Sequence, residues 1–268
     1  MDRRWYISLD ALKDELGIAS ATTTYDAMLK RQIERASMWL ERETGRMFYP
    51  VTATRAFDVP EDVPRQAIWL FDDLLAVTSI TDDQGSVDSG EYFLYPANHP
   101  PYQRIELLSS SRQWVWTDSR QQAVSIAGRW GYSEQTLDTG VTLGAAVEST
   151  TATSITVSDG ALIEVGWCLL IGSEQLFVSA VSDNTVTVQR GNNGTTAATH
   201  ADGATILRYV PDPAAEECVI LIASLAYNMR QAAGVKSQVI GDYEITYRDG
   251  MAVPDLALYI AASLKRIL

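Results

Sequence analysis

The sequence predicts an α+β protein: a helical core with a small antiparallel sheet, carrying an inserted all-β barrel or sandwich domain. Three observations predict it. Segments with helical period and recognisable caps lie near both ends of the 268-residue chain. Between about 47 and 132 the period shortens to that of β-strands. From about 139 to 209 Gly, Thr and Ala take over and strand and turn signals follow one another without a helical stretch. The expected domains are therefore a discontinuous core, 1–138 with 210–268, and an insert, 139–209.

Ser8 is placed to cap a short helix whose Leu9, Leu12 and Leu16 keep helical spacing and whose stop is Gly17. A longer helix is expected from Asp26 to Thr44, with Leu29, Ile33, Ala36 and Leu40 on one face and Gly45 closing it. Then "TRAFDVP", "AVTSIT", "EYFLYP", "RIELL" and "QAVSIAGRWGYS" read as short strands, with "TDDQGS" as a hairpin turn. In the insert, "TSITVSDG", "EVGWCLLIGSEQLFVSAVSDNTVTVQRG" and "GATILRYV" suggest about five strands, with "IGSE" and "SDNT" as tight turns. "VPDPAAEECVILIASLAYNMRQ" is a helix with Asp212 as N-cap and Pro213 in its first turn, broad in its apolar surface and hence central. "SQVIGDYEITYRDG" alternates as a half-buried strand. In "VPDLALYIAASLKRIL", Leu256, Ile260, Leu264 and Ile267 mark the apolar stripe of a last helix.

A 46% apolar composition supports a packed core, while a net charge of −13 opposes tight wrapping of nucleic acid, whose affinity comes from Lys and Arg neutralising phosphates. The acid excess is spread along the chain. Such a surface suits a passage through which DNA slides without sticking. Cys168 and Cys218 have no partner at zinc-ligand spacing and read as buried small hydrophobes. The N-terminus has no apolar run of signal-peptide length, and "CVILIASLAY" is about half a membrane span, so a soluble, cytoplasmically made protein is expected.

The stretch "RGNNGTTAATHADGA", Arg190 to Ala204, invites a phosphate-loop reading. That reading needs a Lys and a following helix, and the chain offers neither. His200 is expected as a hydrogen-bonded turn residue, and Thr195, Thr196 and His200 as side chains that tie the loop to itself. The other histidine, His99, lies in "ANHPPY". Two histidines so placed assemble no nucleophilic triad, and Asp72-Asp73 and Asp82-Asp83 lack calcium-loop spacing and read as turn or surface chemistry. The seven tryptophans are scattered and read as core or interface anchors. No enzyme activity, cofactor or metal is expected.

In order, "IERASMWLERETGRMFYP", "LFDDLLAVTSITDDQG", "EYFLYP", "RIELL", "AVSIAGRWGYS", "VPDPAAEECVILIASLAYNMR" and "IGDYEITYRDGMAVPDLALYIAASLKRI" resemble the head–tail connector, or adaptor, family of long-tailed bacteriophages. The resemblance covers about 1–135 and 209–268, and it rests on the ordered set rather than on one motif. It implies a non-enzymatic structural virion protein, made in the host cytoplasm and placed in the virion neck. There a homo-oligomeric ring, commonly of 12 subunits, sits under the portal protein, extends the DNA channel and offers a platform to the stopper or tail-completion protein. Genomic DNA would pass through without sequence-specific binding, and no membrane is involved. The insert departs from the family's compact form, and its "VQRGNNGTTAATHADGATI" is similar to a strand, loop and strand pattern of phage tail and baseplate proteins. The alternative function is a carbohydrate- or receptor-binding module in the insert. Portal or ring contacts are expected at Tyr243, Ile245 and Tyr247, on a strand with an unpaired edge, and at Leu264 and Ile267 on the last helix.

Overall fold

The computed structural model describes residues 3–59, 67–108, 112–229, 237–240, 243–246 and 253–266. Its chain divides into two compact units, one of residues 1–45, 136–192 and 197–268, the other of residues 46–135 and 193–196.

The expected helical core with a small sheet is not what forms. The chain is mostly antiparallel β, with two six-stranded sheets, and strand outweighs helix, 34% to 26%. The sheet of the second unit runs in the order β1-β6-β2-β5-β4, with β3 on β2. Its strands are β1 (Val51–Phe57), β2 (Ala67–Asp82), β3 (Gly85–Ser86), β4 (Tyr92–Tyr95), β5 (Tyr102–Leu107) and β6 (Val124–Trp130).

The physical reason lies in β2, which is 16 residues long. Its first part pairs with β5 and the rest with β6, and register shifts between Trp69 and Leu74, Leu74 and Ala76, and Val77 and Ser79 bend it between the two. A strand bent in this way folds its sheet over one apolar core. Phe57, Ile68, Leu70, Leu74, Ile80, Ile105, Trp114, Ile126 and Trp130 are all buried in it, and among the described residues no α-helix contributes.

Asp72 and Asp73, expected in a turn or at the surface, lie in the middle of β2 at the first shift. Asp73 is buried beside Arg46 at 3.5 Å, and Asp72 pairs with Arg55. Asp82 and Asp83 do serve the turn and its neighbours. Asp82 accepts from Gln84 N at 2.9 Å and Arg112 Nη2 at 2.6 Å, and Asp83 from Thr117 N at 2.6 Å.

The first unit combines helices with the other sheet. Helix α1 (Leu9–Glu15) is capped by Ser8, whose Oγ accepts from Ala11 N at 3.0 Å. Helix α2 (Asp26–Thr44) buries Leu29, Ile33, Ala36 and Leu40 and ends at Gly45, whose φ of 67° is the left-handed value a C-cap needs. Helix α3 (Pro213–Asn228) packs on α1, α2 and α4 (Asp255–Leu264), which makes it central.

The sheet has the order β7-β12-β9-β10-β11-β8. Its members are β7 (Thr136–Thr142), β8 (Ser154–Thr156), β9 (Cys168–Ile171), β10 (Glu174–Ser182), β11 (Thr185–Gln189) and β12 (Thr205–Tyr209). Two-residue turns at Gly172-Ser173 and Asp183-Asn184 join β9 to β10 and β10 to β11. Its core is aliphatic, built on Val141, Ile155, Leu169, Ile171, Leu176, Val178, Val186 and Ile206.

The N-terminal segment ties this sheet to the helices. Trp5 meets Phe177 edge-on at 5.1 Å, Leu9 N donates to Val165 O at 2.9 Å, and Asn192 exchanges two hydrogen bonds with the Arg3 backbone. On the helical side of the same segment, Tyr6 OH donates to Glu41 at 2.5 Å.

Candidate functional sites

Three places hold the side chains with the most chemistry. The first is the loop that follows β11. Glu174 opens β10 just after a tight turn, and its carboxylate is fully buried where it accepts five hydrogen bonds. Arg190 gives two in a bidentate fork, Nε to Oε1 and Nη2 to Oε2, both at 2.7 Å. Gly191 N and Ala198 N each give one at 3.0 Å, and His200 Nε2 gives one at 2.8 Å. The remaining Arg190 donors reach Ser149 O, Ala152 O and Ala198 O.

Burial pushes the Glu174 carboxyl up, but the hydrogen bonds from Arg190, Ala198, His200 and Gly191 together outweigh it and hold the group at about 2. A carboxylate so saturated has no lone pair left to take a proton from a substrate. The site is a structural node. It fixes both ends of the Gly-Thr loop, and His200 adds backbone bonds to Val147 in both directions.

Sequence reasoning placed His200 in a hydrogen-bonded role but missed Glu174 and Arg190. The available signal was a carboxylate at the head of the apolar run "EQLFV", which needs a cation when buried. At the tip of the loop, Gly194 belongs to the second unit. Its φ is 74°, and a Cβ there would fall 2.1 Å from Thr52 O.

The second place is the C-terminal helix. Its packed face is Ala257, Ala261 and Leu264; of the expected stripe, Leu264 is buried, Ile260 is half-buried, Leu256 is exposed and Ile267 lies outside the described residues. Two alanines let α4 come close to α3, where Cys218 Sγ lies 3.5 Å from Ala257 O. Leu256, Leu258 and Tyr259 point outward, Tyr259 at 75% exposure. Of the expected contact residues, Leu264 is buried in its own unit, and Tyr243 and Ile245 lie on β14 (Tyr243–Thr246), which pairs with β13 (Ser237–Ile240). Tyr247 and Ile267 lie outside the described residues.

The third place is a cleft of about 410 Å³ in the second unit, lined by Arg46, Trp69, Tyr95, Pro96, His99, Pro101, Gln103, Arg104 and Tyr132. The Arg46 guanidinium stacks on Tyr132 at 4.5 Å, and that of Arg104 on Tyr95 at 4.2 Å and Trp69 at 5.3 Å. No carboxylate lines it.

Both cysteines are buried thiols, and burial together with Glu217 raises Cys218 to about 11, so it stays protonated at neutral pH. Among the described residues no group of three or more His, Cys, Asp and Glu is disposed to hold a metal, and no helix is long and apolar enough to cross a membrane. No family model and no curated protein sequence matches the chain.

Proposed function

We propose that this chain is a head–tail adaptor of a long-tailed bacteriophage, a structural protein of the virion neck. Copies of it form a ring under the portal protein, commonly of 12 subunits in the family it resembles. The ring extends the DNA channel and gives the stopper or tail-completion protein its platform. The ordered resemblance along 1–135 and 209–268 supports this reading.

The structural observation that carries it is the outer side of α4. A ten-residue helix that leaves Leu256, Leu258 and Tyr259 in solvent while alanines pack inward has an apolar face available to a partner. These three residues are proposed as portal contacts, together with Tyr243, Ile245, Tyr247 and Ile267. The net charge of −13 suits a channel wall that DNA passes without adhering.

The test is co-sedimentation of the protein with portal-bearing capsids of the same phage. The triple variant Leu256→Ser, Leu258→Ser, Tyr259→Ser is expected to stay folded by circular dichroism and to lose capsid binding at least tenfold. Undiminished binding of the folded variant refutes the assignment of α4. Absence of binding by the wild-type protein refutes the adaptor reading itself.

A further inference from the structure

Helix α2 carries a basic stripe in a chain whose net charge is −13. Ala27, Arg31, Arg35, Met38 and Arg42 recur at intervals of three and four residues, which places all five within about 80° of one another around the helix axis. All five are exposed, on the side opposite the buried Leu29, Ile33, Ala36 and Leu40. The side chains of Arg31, Arg35 and Arg42 form no hydrogen bond or ion pair with the described residues. The carboxylates of the helix are engaged elsewhere or lie to one side. Glu41 accepts from Arg4 and Tyr6, Asp26 holds Lys13, Glu43 lies 3.5 Å from Lys265, and Glu34 is half-buried beside the stripe. Arg31 and Arg35, four residues apart, are a like-charged pair that weakens the helix unless an anion lies against both.

We infer that this stripe meets the phosphate backbone of duplex DNA. Arg31 to Arg42 span about 16 Å of helix, over which a duplex presents about nine charges. Exposed guanidinium forks match phosphate oxygens, and a basic row along one helix face is the electrostatic footprint of nucleic-acid binding. Other partners fit the stripe less well. Single strands need aromatic rings on which bases stack, and the stripe has none, since the half-buried Trp39 lies to its side. Protein interfaces centre on buried aromatic anchors, whereas Met38 is the stripe's one large apolar residue. An anionic membrane takes up an apolar helix face, and that of α2 is packed inward. Remote carboxylates are screened beyond about 10 Å at 0.1 M salt, so the stripe sets the local field while the acidic chain keeps its grip weak. Phosphate contacts carry no base sequence, so the duplex is positioned without being read. The inference deepens the adaptor reading by naming a face that meets DNA, and rests on it only for the source of that DNA.

The test is fluorescence anisotropy of a labelled DNA duplex titrated with the full chain at rising salt. The wild-type protein is expected to bind at low salt, with log affinity falling against log salt at a slope of about −2.7, that of three phosphate contacts. Arg31→Gln/Arg35→Gln/Arg42→Gln should lose at least tenfold in affinity at low salt, and each single replacement should flatten the slope by about 0.9. Circular dichroism checks folding, and the single variants decide the matter if the triple variant does not fold. Arg129→Gln removes an exposed cation elsewhere and should change affinity less than twofold. The inference is overturned by a wild-type protein that does not bind at low salt, by folded stripe variants that bind as well as wild type, by an equal loss in Arg129→Gln, or by tighter binding of a single strand of the same length. If the triple variant keeps its DNA affinity but loses capsid binding, the stripe belongs to the portal protein and the DNA assignment falls, while the adaptor reading stands. If DNA binding follows the stripe but the wild-type protein never binds portal-bearing capsids, the adaptor reading falls and the DNA assignment stands.

Discussion

Arginines beside the two sheets are held in different ways. Just after β11, Arg190 is 6% exposed and its guanidinium nitrogens are engaged by Glu174 and three backbone carbonyls. In the other unit, Arg46, just before β1, and Arg104 of β5 lie flat on aromatic rings at the wall of an open cleft, each with a carboxylate at 3.5 Å, Asp73 and Glu106. A guanidinium with satisfied donors in a buried site fixes local structure. One stacked on rings, with a carboxylate only at 3.5 Å, is oriented mainly by the rings. The Gly-Thr loop, the most conspicuous stretch of the sequence, belongs to the first kind.

The largest effect expected from that contrast is at Glu174. Glu174→Gln leaves the buried Arg190 without its counter-ion and should cost about 3–5 kcal/mol, measured as a lower urea midpoint. A loss below 1 kcal/mol would mean that the node does not hold the loop. Gly194→Ala comes next. A left-handed φ and a carbonyl 2.1 Å from the new Cβ should together cost about 2–3 kcal/mol, read in the same assay.

The pH dependence follows from the depressed Glu174 carboxyl. Its folded value of about 2 lies below the ordinary 4.5, so its stabilisation is complete above about pH 4.5 and is lost as pH falls towards 2. The stability gap between wild type and Glu174→Gln should narrow by about 1.4 kcal/mol from pH 6 to pH 3.5. A gap that stays constant or widens contradicts the assignment. The smallest effect belongs to the other sheet. Trp69→Ala should change stability by less than about 0.5 kcal/mol, because an exposed ring contributes little to the fold.

The helices were legible because their signals are local. Ser8, Asp212 with Pro213, and Gly45 each announce a helix end within a few residues, and the α2 face was read correctly from its spacing. The weight of β structure was not. Strand β2 carries Asp72 and Asp73 in its middle and has three register shifts, which break period-2 alternation where its length would otherwise show. The cations that neutralise those aspartates, Arg46 and Arg55, lie well upstream in the chain.

The face of α4 was legible only in part, at Leu264, for a related reason. Large residues dominate a sequence pattern, yet close helix packing selected Ala257 and Ala261, and only the position of α3 reveals that. Glu174 is 16 residues from Arg190 and 26 from His200, so the node exists only once the head of β10 meets both ends of the loop.

The most direct test of the adaptor reading is negative-stain electron microscopy of the purified protein, alone and mixed with portal-bearing capsids of the same phage. Ring-shaped density seated on the portal vertex is expected in the mixture, whether or not rings form in the protein alone. Capsids whose portal vertex stays bare at saturating protein concentration would contradict it.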